Sequence, residues 1–228
     1  MFTIAVIGAG QLGSRHLQGL AGVSFPCNLH IVDPSEKSIN AAKERLCEVD
    51  GRNILSVFSH QSPETLPAIV DLAVVATTSD VRMKAIEALC RSRVVRNIVL
   101  EKVLFQQFSE YSKAAKLIQK NSVKCWVNCP RRIYPIYLMV QKYFKDDPIT
   151  YMEVQGGDWG LGCNGVHFLD LLAFMVPSGN FSFNCDGLDN EHRRSKRSGF
   201  VEFSGMLRGT YGLSQFNLIS AYSSTAKH

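Results

Sequence analysis

Three groups of residues in this chain have the types and spacing that chemistry on a small molecule requires. The first is Gly8-Ala9-Gly10-Gln11-Leu12-Gly13, a G-x-G-x-x-G fingerprint that follows the apolar run at residues 3–7 and leads into a helical pattern. Gly8 allows a tight turn, Gly10 lets a pyrophosphate approach the backbone, and Gly13 lets helix and strand pack closely. The helix that follows offers free N–H groups and the positive end of its dipole to the phosphates. The second is Asp33, which ends an apolar run at 28–32 and lies 20 residues past Gly13. That spacing lets a carboxylate accept from the adenosine ribose hydroxyls and repel a 2′-phosphate. Pro34 and Ser35 supply no arginine to hold such a phosphate, so NAD is expected in preference to NADP. The competing reading of Asp33 is a helix N-cap. The third is Glu101-Lys102, directly after Ile98-Val99-Leu100. An ammonium there can hydrogen-bond a substrate hydroxyl or carbonyl and tune proton transfer; the bland reading is a surface ion pair at a strand end.

These residues need a scaffold that brings strand ends together. Strands are expected at 3–7, 28–32, 54–58, 71–76, 97–100 and 124–128, with helices at 14–21, 35–49, 81–90 and 109–121, the last capped by Ser109. Alternation of this kind makes a doubly wound parallel sheet, whose ligands lie at the carboxyl ends of the strands. The loops at Gly8–Gly13, Asp33, Thr77-Thr78-Ser79 and Glu101-Lys102 should therefore converge. After a helix at 135–144 the style changes: strand-like runs at 150–155, 200–206 and 211–219 surround one helix at 165–176 that contains His167 and Asp170. The fold class is thus α/β, an N-terminal Rossmann sheet over residues 1–122 followed by an α+β domain over 123–228 with a mainly antiparallel open sheet.

Composition narrows the remaining classes. The 228 residues are 46% hydrophobic and 20% charged, an ordinary globular balance with no run of apolar residues long enough for a membrane span. The apolar start reads as a strand without a basic leader or cleavage site, so a cytoplasmic protein is expected. The seven cysteines form no C-x-x-C pair and read as reduced, mostly buried thiols; Cys125 and Cys129, on one face of a strand, have no histidine cluster beside them to make a metal site. The net charge of +5 is densest at Arg193-Arg194-Ser195-Lys196-Arg197, either a solvated loop or a clamp for an anionic substrate group. No aromatic platform surrounds that run, which argues against nucleic acid.

Together the motifs resemble the Gfo/Idh/MocA oxidoreductases, the glucose–fructose oxidoreductase and inositol dehydrogenase group. GAGQLGSRH resembles that family's G-x-G-x-x-G-x-x-H, so His16 matches as well as the glycines. Ala76-Thr77-Thr78-Ser79 resembles A-T-P-[NS], Glu101-Lys102-Val103 resembles E-K-P, Asn128-Cys129-Pro130-Arg131-Arg132 resembles N-x-R-[RF], and Gly165-Val166-His167-Phe168-Leu169-Asp170 resembles G-x-H-x-x-D. The resemblance implies NAD(P)-dependent oxidation or reduction of a secondary alcohol or ketone on a sugar, cyclitol or nucleotide sugar, with Lys102 as catalytic lysine and His167 as acid/base. It also implies cofactor contacts from Gly8, Gly10, Gln11, Leu12, Gly13, Asp33, Thr77, Thr78, Ser79, Glu101 and Lys102. Substrate contacts would come from Arg132, Asn164, His167 and Arg197, and a homo-oligomer would form through the C-terminal sheet.

The departures from the family pattern are specific. Cys163 stands where the family commonly has an aspartate four residues before the histidine, Val103 replaces a proline, and Arg82 stands where a histidine often follows the A-T-P loop. Family members commonly run past residue 228, which leaves a compact variant or a truncated chain. A dinucleotide-binding regulator or scaffold without turnover is therefore the rival expectation.

Overall fold

Strand β1 (Phe2–Ile7) is apolar on both faces because it lies in the middle of a sheet covered on both sides. Ile4 and Val6 pack into one core cluster with Leu17, Leu29, Ile31 and Ile39, while Ala5 and Ile7 point into the other with Ala73, Val75, Ile86 and Ile98. This period-two alternation between two buried faces fixes the register of the sheet. In the computed structural model, which describes residues 1–176, 178–195 and 198–221, the chain divides into two compact units, Met1–Asn128 and a second from Cys129 on.

In the first unit, β1 is followed by α1 (Gln11–Leu20), β2 (Cys27–Val32), α2 (Glu36–Leu46), β3 (Ile54–His60), β4 (Ile69–Val75), α3 (Ser79–Ser92), β5 (Val94–Leu100), α4 (Phe108–Lys120) and β6 (Lys124–Val127). The strands form one six-stranded sheet in the order β3-β2-β1-β4-β5-β6, and every pairing is parallel. This is the doubly wound arrangement expected from the alternation of strands and helices. Helix α1 begins at Gln11, inside the fingerprint, rather than at residue 14. Ser35 caps α2 by accepting from the Ser38 amide at 3.3 Å, so the cap is Ser35 rather than Asp33. Gln107, rather than Ser109, precedes α4, and its amide donates to Glu110 Oε2 at 3.4 Å. The expected boundary at residue 122 moves to Asn128–Cys129, because β6 adds to β5 with Ile98 opposite Cys125 and Val99 opposite Trp126.

The second unit contains α5 (Pro135–Tyr143), β7 (Tyr151–Gly157), α6 (Leu161–Met175), β8 (Phe181–Leu188), β9 (Arg193–Arg194), β10 (Val201–Glu202), β11 (Gly205–Tyr211) and β12 (Ser214–Ala221). Four of these strands form a mixed sheet, β7-β12-β11-β8, in which only the β7–β12 pair is parallel. Leu161, Leu172 and Val176 pack on Phe216 and Leu218 to make its core. The run expected at 200–206 splits into β10 and β11 because Gly205 has φ +92° and lies so close to β8 that an added Cβ would sit 2.5 Å from the Gly187 carbonyl. The sheet face opposite this core is polar. Tyr151 Oη donates to Glu153 Oε2 at 2.5 Å, Asn217 Nδ2 donates to Tyr151 Oη at 2.7 Å, and the Ser182 and Thr210 hydroxyls meet at 2.8 Å.

All seven cysteines are free thiols, but only Cys27 and Cys90 are fully buried, fewer than expected. Cys129 lies beyond β6, at the start of a 3-10 turn, so it does not share a strand face with Cys125. Among the described residues no helix is long and apolar enough to cross a membrane.

Candidate active site

The fingerprint glycines are each used in a different way. Gly8 has φ +94°, and an added Cβ would sit 2.8 Å from the Thr77 amide nitrogen. At Gly13 an added Cβ would come 1.8 Å from the Gly8 carbonyl, so the first turn of α1 rests directly on the turn that ends β1. A Cβ at Gly10 would meet only open space. This is the backbone exposure that a pyrophosphate needs, at the N-terminus of a helix with no acidic residue in its first turn.

Gly8, Gly10, Asp33, Thr77 and Thr78 line one cavity of about 480 Å³, which also takes in Pro34, Gln61, Val81 and Lys84. Of the loops expected to converge at the carboxyl edge of the sheet, those at Gly8–Gly10, Asp33 and Thr77-Thr78 meet on this cavity, whereas Ser79, Glu101 and Lys102 are not among its lining residues. Gln11, Leu12 and Gly13 form the first turn of α1, and Ser79 opens α3. Asp33 is tied into the frame by both oxygens: Oδ2 accepts from the Ala9 amide at 2.8 Å and Oδ1 from the Ser35 amide at 2.8 Å. A carboxylate has about four lone-pair sites, so ribose hydroxyls can still be accepted. Thr77 Oγ1 is buried with no hydrogen-bond partner among the described residues, although it belongs to a residue on the cavity wall. An orphaned hydroxyl and a glycine cradle both fit a bound dinucleotide.

Glu101 and Lys102 follow β5 at the same edge of the sheet. Glu101, expected at the cofactor, is only 2% exposed, and its Oε1 accepts from His16 Nε2 at 2.7 Å and from Asn128 Nδ2 at 2.5 Å. Burial alone would push this carboxyl up, but the hydrogen bonds from His16 and Asn128 outweigh it and hold the group below the ordinary glutamate range. Glu101 therefore supports the loop from beneath, and half-buried Lys102 is the residue it presents. Arg82, a departure visible in the sequence but not understood there, is buried beside the same loop.

In the second unit, α6 starts at Leu161, so Cys163 and Asn164 lie in its first turn and buried His167 in its second. A cavity of about 310 Å³ opens at this end of the helix, lined by Trp159, Cys163, Asn164, Arg193, Arg194 and Glu202 among others. Asn164 Nδ2 donates to the Trp159 carbonyl at 2.7 Å. Arg132, expected to meet substrate, forks onto Asp170: Nε donates to Oδ2 at 2.8 Å and a terminal nitrogen to Oδ1 at 2.7 Å. That bidentate bond raises the Arg132 pKa and holds the segment after Cys129 to α6. Arg197 lies outside the described residues.

Comparison with known proteins follows the same lines. A family model described as an oxidoreductase family with an NAD-binding Rossmann fold matches residues 2–129. Among solved structures, the chain is similar to a myo-inositol 2-dehydrogenase from Lactobacillus plantarum at 17% identity and TM-score 0.69, covering 97% of this chain and 70% of that one. It is also similar to a scyllo-inositol dehydrogenase from Lactobacillus casei at 14% identity and TM-score 0.69, covering 100% and 71%. An NAD-binding protein from Listeria innocua matches at 18% identity and TM-score 0.67, covering 96% and 67%. The chain thus spans 67 to 71% of the length of these three structures. No curated protein matches it in sequence.

Proposed function

Because the chain belongs to the Gfo/Idh/MocA oxidoreductase family, we propose that it is an NAD-dependent dehydrogenase or reductase acting on a secondary alcohol or ketone of a sugar, cyclitol or nucleotide sugar. The observation that carries this reading is the convergence of Gly8, Gly10, Asp33, Thr77 and Thr78 on one cavity, at the sheet edge from which β5 hands on Lys102. The inositol dehydrogenases of similar fold support the polyol class of substrate.

A bound nicotinamide would supply the hydride acceptor or donor. The chain's own residues do the rest. The amides of Gln11 and Leu12 would hold the pyrophosphate, and the Asp33 carboxylate would accept from ribose hydroxyls and disfavour a 2′-phosphate. The Lys102 ammonium donates to the substrate oxygen and stabilises charge that builds there, while the His167 imidazole takes the hydroxyl proton in oxidation and returns it in reduction. Asn164 and the guanidinium groups near α6 provide donors for the substrate's other oxygens.

Turnover tests the reading. Purified protein is mixed with NAD or NADP and a panel of cyclitols, sugars and nucleotide sugars, and absorbance of the reduced cofactor is followed. Activity with one class, lost in Lys102→Ala, is the expected result; dinucleotide binding without turnover of any candidate rejects it. A second reading, a dinucleotide-binding regulator without turnover, is favoured by Cys163, which puts a thiol in the first turn of α6 where the family commonly has a carboxylate. Self-association through the open sheet of the second unit belongs to the same proposal. The polar face there would pair by hydrogen bonds rather than through an apolar patch, and sedimentation velocity reads it directly.

A further inference from the structure

We infer that Arg82 is a positioning residue for Lys102, fastening the lysine's loop to the loop that edges the dinucleotide cavity. The inference rests on the reading of Lys102 given above. Arg82 sits in the first turn of α3 and is 2% exposed, although arginine is almost never buried without partners. Its Nη1 donates to the carbonyls of Glu101 at 2.5 Å, of Leu104 at 3.0 Å, and of Val103. Its Nη2 donates to the Thr77 carbonyl. One planar cation therefore holds the residue before Lys102, the two residues after it, and a residue on the cofactor cavity wall.

The arrangement has a chemical logic. Carbonyls at 101, 103 and 104 that point toward one centre repel each other, and a buried cation between them removes that repulsion. Guanidinium is suited to the task because its donors form a rigid fork and it stays charged, whereas an ammonium is a single flexible point. The Glu101 side chain is held separately by His16 and Asn128. The backbone on both sides of Lys102 is thus fixed from α3, and Glu101 is fixed from α1 and from beyond β6. Because the same guanidinium holds Thr77, a dinucleotide that orders the Thr77-Thr78 loop would also order the lysine. Without that link, cofactor binding and lysine placement become independent.

The test uses the full chain with Arg82→Gln and Arg82→Lys. If Arg82 positions the lysine, Arg82→Gln lowers kcat by about 10²-fold, the loss that misplacement of about 1 Å brings, and weakens binding of the reduced cofactor by a much smaller factor. Arg82→Lys recovers part of that loss. Proportionate loss of kcat and cofactor affinity, or a lysine variant no better than the glutamine one, would overturn the inference in favour of a purely structural buried cation. A second arm does not depend on turnover. Acetylation of Lys102 by an amine-selective reagent, read by mass spectrometry, is expected to slow when reduced cofactor binds the wild-type chain and to lose that response in Arg82→Gln, which still binds the cofactor. An undiminished response in the variant rejects the link. A silent wild-type enzyme with a cofactor-dependent Lys102 response rejects the dehydrogenase reading but leaves the positioning role standing.

Discussion

His16 and Glu101, 85 positions apart in the chain, meet at 2.7 Å through His16 Nε2 and Glu101 Oε1, with the carboxylate almost wholly buried. The bond ties α1 to the end of β5, so the helix that offers its N-terminus to phosphate also supports the loop that presents Lys102. Removing His16 leaves a buried carboxylate short of one donor. His16→Ala is expected to destabilise the first unit by about 1–3 kcal/mol, measured by denaturant unfolding. The pH dependence has a definite sign. The folded pKa of Glu101 is lowered, so its contribution is complete above the unfolded value near 4.3 and is lost as pH falls through the folded one. In His16→Ala that acid-limb loss becomes smaller.

Two glycines of one helix are expected to respond in opposite directions. Gly13→Ala would put a Cβ 1.8 Å from the Gly8 carbonyl, which neither backbone can relieve without parting α1 from β1. The expected cost is at least about 3 kcal/mol, with loss of dinucleotide binding by fluorescence titration. Gly19, in the same helix, has nothing within 4 Å of an added Cβ. Gly19→Ala is expected to stabilise by about 0.5–1 kcal/mol and to leave dinucleotide binding intact.

The first unit was legible in the sequence because its signals are local. A β-branched run leading into three glycines at fixed offsets marks a strand, a turn and a helix within a few residues, and the alternation of strands and helices marks the parallel doubly wound sheet. Partners set by tertiary packing were not legible. Glu101 reads as a charged strand end, yet it is buried because His16 and Asn128, from two other places in the chain, arrive to satisfy it. Arg82 sits in an exposed-looking Asp80-Val81-Arg82 stretch, and nothing local shows that carbonyls from residues 101–104 will converge on it. Strand β8 was missed because its Asn184, Cys185 and Asp186 dilute the alternation of Phe181 and Phe183, which pack against Phe216.

Asp33 does two things at once, and one substitution separates them. Its carboxylate holds the Ala9 and Ser35 amides, and it is the acidic group on a cavity wall that also carries Lys84. Asp33→Ala removes the repulsion toward a 2′-phosphate and leaves the ammonium. Affinity for NAD is expected to fall by about tenfold, for a loss near 1.4 kcal/mol, while affinity for NADP falls less or rises. Parallel titrations with the two reduced cofactors measure the ratio. An unchanged ratio would remove Asp33 as the selectivity residue and leave it as a loop tie.

A histidine pair under the first sheet gives the fold a second, independent pH dependence. His30 Nδ1 and His60 Nε2 lie 2.9 Å apart, and His60 Nδ1 lies 2.9 Å from Thr65 Oγ1, whose hydroxyl donates to the Ser62 carbonyl at 3.0 Å. Since the hydroxyl proton is already committed, His60 Nδ1–H must donate to Thr65, and the neutral His60 Nε2 accepts from His30 Nδ1–H. A proton added to His60 Nε2 puts two N–H groups against each other. Burial, and then the neighbouring His60, lower the His30 pKa to about 4; burial and then Arg93 lower that of His60. Both groups bind protons more tightly when unfolded, near 6.5, so stability is complete above that pH and declines as pH falls from 6.5 toward 4. His30 is 5% exposed and stacks on Phe58 with ring centroids 4.8 Å apart, so His30→Phe keeps the packing and removes the titration. The expected result is a thermal midpoint that falls less between pH 7 and pH 5 in His30→Phe than in the wild type. An equal fall in both proteins would mean that the pair is free to open and be solvated without cost to the fold.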